Sequence, residues 1–148
     1  MSGLGLTDAE RIRMQRIDRL VLEGAPGVAE LVAMLSDASW TVRRAVVASL
    51  ASLGDDAVPA LCTSLRETRA NEQSIAAAVD ALSASVGSNA TAAVVSLADS
   101  PSPPVVADAA QILGRRRAGD AAPLLARLLE HRDDNVAVAA IEDRKSVV

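Results

Sequence analysis

The chain is almost without aromatic side chains: one tryptophan, Trp40, and no tyrosine or phenylalanine in 148 residues. That absence disfavours nucleic acid as a ligand, because single strands lie on stacked aromatic platforms. A lone cysteine, Cys62, excludes a disulfide framework. The one histidine, His131, could not hold a metal without further His or Cys ligands at suitable spacing, and the chain does not supply them. No apolar run reaches the roughly 18 residues that a membrane-spanning helix needs. The N-terminus is charged from Asp8 onward and lacks the apolar centre of a signal peptide. No GxGxxG or GxxxxGK phosphate loop occurs, and no GxSxG nucleophile turn. These absences point to a cytoplasmic chain that is not an enzyme and uses no metal or cofactor.

What is present is apolar, small and periodic. Half the residues are hydrophobic, and the clearest pattern lies in Leu31–Asp55. Val28, Leu31, Val32 and Leu35 form one apolar stripe at helical spacing. The short polar residues from Ser36 to Ser39 break it, as turn and N-cap residues do. A second stripe follows at Val42, Ala45, Val46, Ser49, Leu50 and Leu53, and Gly54 closes it. Two short helices and a tight turn make an αα-hairpin, which cannot bury its apolar face alone and asks for stacked neighbours.

Two registers show those neighbours. Closing glycines recur at Gly24, Gly54, Gly87 and Gly119, spaced 30, 33 and 32 residues apart. The last leucine of each first helix recurs at Leu35, Leu65, Leu97 and Leu129, spaced 30, 32 and 32. The turn position two residues later holds Asp37, Glu67, Asp99 and His131, so His131 reads as a turn residue. One period satisfies both alignments.

The pattern Leu35-x-Asp37-x-x-Trp40-x-Val42-Arg43-x-Ala45-Val46, continued by Ser49-Leu50 and Leu53-Gly54-Asp55, resembles HEAT-like repeats of the short phycobilisome-lyase type. The resemblance covers about residues 25–142 and is most specific in the first unit. It implies an all-α fold: a right-handed α-α superhelix, or HEAT/ARM-like solenoid, of about four helical hairpins behind an N-terminal cap helix. The implied divisions are a leader and cap helix over 1–24, then units at about 25–55, 56–87, 88–119 and an incomplete 120–142. In that family an acid in the turn pairs with a basic residue opening the second helix, and Asp37 and Arg43 match these positions. The basic position elsewhere holds Ala76, Val106 and Ala137, so no continuous ladder is expected.

Along the chain, Thr7 to Glu10 is a capping box, opening a helix to about Glu23 with Met14, Ile17, Leu20 and Val21 as its apolar face. Its arginines read as the solvated side of a terminal unit. Asp56 is expected to cap the next helix, with Pro59 in its first turn and Cys62 inert on its apolar face. Ile75, Ala78, Val79, Leu82 and Val86 carry the helix after it. Pro101 to Pro104 forms a stiff turn. Arg115 to Arg117 read as cations opposing the negative end of a helix dipole. Trp40 is expected to seal the hairpin turn against the next unit. The tail, residues 143–148, departs from the repeat and contains the only lysine, Lys145. It matches an in-frame reading of a common sequencing adapter, so the native coding sequence is expected to continue differently after Glu142.

The functional expectation is a protein-binding scaffold, a regulatory module at the N-terminal end of a longer bacterial protein. Its partner would be another protein or another domain of the same full-length chain. By the family resemblance the second helices line the contact surface, and Arg44, Gln73, Asp80, Asp108 and Gln111 are the outward candidates there. An accessory role in a phycobilin lyase, and nucleic-acid binding, are the alternatives.

Overall fold

A computed structural model describes residues 5–117, 122–128, 136–138 and 140–141. Gly119, Leu129, His131 and the tail 143–148 lie outside them. Every element among the described residues is helical. Helix α1 spans Asp8–Glu23, α2 Val28–Ala33, α3 Trp40–Leu53, α4 Val58–Glu67, α5 Glu72–Ala84, α6 Ala90–Leu97, α7 Pro103–Arg115 and α8 Ala122–Leu128. Tight 3-10 turns at Ala25–Gly27, Met34–Ser36 and Gly54–Asp56 join the early helices.

The helices begin where short polar side chains can accept a backbone N–H. The Thr7 hydroxyl accepts from Glu10 N while the Glu10 carboxylate accepts from Thr7 N, the expected capping box. Ser39 caps α3 through Val42 N, and Asn71 caps α5 through Ser74 N. Asp56 does not cap α4: it lies inside the 3-10 turn, and Ala57 holds the N-cap position without a side-chain bond. Prolines occupy the first turns of α4 and α7, where a missing N–H costs nothing.

Packing follows the predicted stripes. Helices α2 and α3, α4 and α5, and α6 and α7 pack as pairs. The first members stack in the order α2, α4, α6, and the second members in the order α3, α5, α7. Between the layers runs one core containing Leu31, Leu35, Leu61, Leu65, Leu97 and Leu125. A leucine with no remaining exposure contributes about 1.5–3 kcal/mol relative to an exposed one, so these stripes outweigh any surface ion pair. Ala77, Ala78 and Ala81 are also buried, and small side chains let α5 approach its neighbours closely. Val86, expected to extend the α5 stripe, lies past the helix end and is exposed.

The glycine register has two physical causes. Gly24 and Gly54 share almost one backbone conformation, φ 71° with ψ −133° and φ 61° with ψ −130°, which side-chain-bearing residues rarely adopt. Gly87 is required by space instead: a Cβ there would lie 1.9 Å from Asp55 Oδ1. The turn after α5 thus lies directly on the turn after α3, where Val86 N donates to Ala51 O at 3.1 Å and Asn89 N to Asp55 Oδ1 at 2.9 Å.

Helix α1 packs on α3 and adds to the same layer, burying Ile17 and Leu20. Its arginines are not simply solvated. Arg13 pairs with Asp37 at 2.8 Å, and Arg16 makes a two-pronged contact with Glu30 at 2.6 Å on each arm. No single helix among the described residues is long and apolar enough to cross a membrane.

Candidate functional site

Helices α3, α5 and α7 lie side by side, and two furrows run between them. The furrow between α5 and α7 encloses about 510 Å³; Ile75, Ala76, Val79 and Pro104 supply its apolar lining. The furrow between α3 and α5 encloses about 180 Å³ and is lined by Trp40, Arg43, Arg44, Gln73 and neighbouring α5 residues. Ala76 and Asp80 line both, so the furrows adjoin.

All five residues proposed from sequence lie here. Arg44 and Gln73 line the α3–α5 furrow, Asp108 and Gln111 the α5–α7 furrow, and Asp80 lies on the ridge between. The helical repeat places them together beside the buried stripes of the second helices: Arg44 and Gln73 are exposed as expected, while Asp80, Asp108 and Gln111 are partly covered by the neighbouring helix.

The furrows also contain Arg69, which the sequence did not single out, and Arg115, which it read only as a helix-end cation. Arg69 reaches from the loop before α5 to Asp108 Oδ2 at 2.6 Å and to Leu65 O at 3.0 Å. Arg115, at the end of α7, donates to Asp80 Oδ1 at 2.7 Å. Asp108 is largely shielded, and loss of solvent raises its pKa above the ordinary aspartate value despite the opposing pull of Arg69. Both pairs cross from one hairpin to another, 39 and 35 residues apart, with no local spacing to announce them.

Trp40 departs from expectation. It does not seal the hairpin turn; it stands 67% exposed at the start of α3. The Arg44 guanidinium lies over its ring, 5.8 Å from the centroid. The spacing of four residues on one helix was the signal available for this contact.

The Asp37–Arg43 pair also differs. Arg43 does reach the turn, but it donates to the Asp37 and Ala38 carbonyls at 2.7 and 3.1 Å. The Asp37 carboxylate is taken by Arg13 of the cap helix and by Ser39 N at 2.8 Å. Arg116 corrects the reading of the arginine run: it reaches back to the C-terminal end of α5. There it donates to the Leu82 and Ser85 carbonyls, both at 2.9 Å, and to Thr91 Oγ1 at 3.1 Å.

Elsewhere, Cys62 is buried and burial pushes its thiol pKa up, the opposite of an activated nucleophile. Among the described residues no group of three or more His, Cys, Asp or Glu side chains could hold a metal ion. A family model for HEAT repeats matches residues 28–111. No curated protein matches the chain.

Proposed function

Because the chain belongs to the HEAT-repeat family, we propose that it is a non-catalytic protein-interaction scaffold whose contact surface is the face of α3, α5 and α7. HEAT repeats commonly mediate protein–protein contacts, and extended helical-repeat surfaces suit that use. The observation that carries the reading is the pair of adjoining furrows, apolar at the floor and edged by Arg, Asp and Gln, with an exposed tryptophan at one end. An apolar centre with a polar rim and an aromatic anchor is the usual anatomy of a protein interface. The resemblance of the Leu35–Asp55 pattern to the short phycobilisome-lyase type of repeat implies a right-handed superhelix, and the spacing of 30–33 residues is consistent with about four hairpins. In this reading it is a cytoplasmic bacterial module whose partner is another protein or another domain of the full-length chain.

A photo-crosslinking amino acid placed at Gln73 or Gln111, compared with one at Thr63 on α4, tests this in cells of the source organism. Protein adducts at Gln73 and Gln111 but not at Thr63 are expected. Adducts confined to Thr63, or none at any position, would remove the assignment.

A further inference from the structure

The arginines of the two furrows are not equivalent. Arg69 and Arg115 are each committed to a carboxylate, and Arg43 to two carbonyls of the preceding turn. Arg44 is exposed, and among the described residues no carboxylate lies within ion-pair distance of it. Its guanidinium lies over the Trp40 ring. A guanidinium resting over an indole spends none of its five N–H donors on a conventional acceptor, so they can bond outward. That planar fork matches the two oxygens of a carboxylate. Trp40, 67% exposed, offers the rest of its ring to an apolar side chain.

We propose that Trp40 and Arg44 form the anchor for an acidic protein segment, one presenting a carboxylate beside an apolar side chain. This rests on the docking reading and names the chemistry of the partner. Charge complementarity supports it. The two furrows are lined by four arginines and three carboxylates, a net positive surface on a chain of net charge −4. A phosphate chain fits less well, because Glu72, Asp80 and Asp108 line the same surface and one free guanidinium cannot track a backbone. Gln73, in the same furrow, can both donate to and accept from a peptide backbone.

Trp40 is the sole aromatic residue, so intrinsic emission reports on this furrow alone. The purified full chain is titrated with short capped peptides that share leucines and carry glutamate, glutamine or arginine at the remaining positions, and with a single-stranded oligonucleotide. The glutamate peptide is expected to shift the emission and to bind about tenfold tighter than the glutamine peptide. Arg44→Gln should erase that preference, while Arg44→Lys keeps only part of it. Trp40→Ala should weaken binding of a labelled glutamate peptide followed by anisotropy. The core-facing residues of α3, among them Val42, Val46 and Leu50, are untouched in these variants, and circular dichroism confirms the fold.

Equal affinity for the glutamine peptide, or preference for the arginine peptide, overturns the acidic assignment while leaving a protein-docking surface in place. Tighter binding of the oligonucleotide than of any peptide overturns both readings. If no probe moves Trp40 emission, the anchor is refuted, and the crosslinking at Gln73 and Gln111 decides the docking reading separately.

Discussion

Two seams of the described helical stack are joined by different mixes of contacts. At the cap, α1 is tied to the first hairpin by side chain to side chain: Arg13 to Asp37, Arg16 to Glu30, and the Ser39 hydroxyl donating to the Glu10 carboxylate at 2.5 Å. Between α5 and the α6–α7 hairpin, the Arg69–Asp108 and Arg115–Asp80 pairs are accompanied by a second kind of contact: Arg116 grips main-chain carbonyls, and the Gly87 turn rests on Asp55 with no room for a methyl group. Carboxylates titrate and are screened by salt; carbonyls do not titrate. The cap seam should therefore respond to its medium more than the inner seam, whose carbonyl grip responds chiefly to mutation.

The sharpest way to break this contrast is Arg116→Ala. It strips a charged donor from two partly buried carbonyls, at a cost of about 2–3 kcal/mol in urea unfolding. Arg116→Lys should recover only a fraction, because an ammonium cannot reproduce the fork. A cost under about half a kcal/mol would place the grip outside the stability of the fold. Gly87→Ala comes next, at about 1–3 kcal/mol, since Asp55 or the turn must shift to admit the Cβ. At the cap, Arg13→Gln should cost about 1 kcal/mol or less, and high salt should shrink the difference. An unchanged difference at high salt would mean that Arg13 acts through packing.

The smallest effect separates the seams by pH. Glu10 is held below its ordinary pKa by the Ser39 bond and Thr7, and Glu30 by Arg16. Both favour the ionised folded form, so their stabilisation is present above the unfolded carboxylate range and is lost as pH falls through the folded values. Asp108 has the opposite sign. Its raised pKa penalises the ionised form, and acid relieves that penalty. Hydrogen exchange compared between neutral pH and about pH 4 should show faster opening in α1 than in α5 and α7. Equal acceleration in all three would dissolve the distinction.

Much of the fold was legible because apolar period and turn glycines are local signals. Leu35, Leu65 and Leu97 bury as the register requires, and Gly24 and Gly54 take conformations that glycine tolerates. The outward face of the second helices was legible for the same reason, which is how Arg44, Gln73, Asp80, Asp108 and Gln111 come to line one surface. Trp40 misled through composition, since a lone large apolar residue suggests a buried seal. Yet it precedes Val42 by two residues, about 200° around the helix from the buried stripe, and that geometry was readable. The Arg116 grip was not readable. Its acceptors are carbonyls 31 and 34 residues away, and every residue carries a carbonyl. Asp37 and Arg43 part because the cap helix competes for the carboxylate, a contact from outside the repeat.

Cys62 has a use independent of any partner. Its thiol lies 4% exposed on α4, between the cap seam and the Arg116 seam, and is the chain's sole sulfhydryl. A thiol-specific reagent can reach it only when that stretch opens, so the labelling rate is a stopwatch for local opening. One reaction trace, repeated for each variant above, compares how readily the middle of the stack opens; at reagent concentrations where the rate saturates, it gives the opening frequency itself.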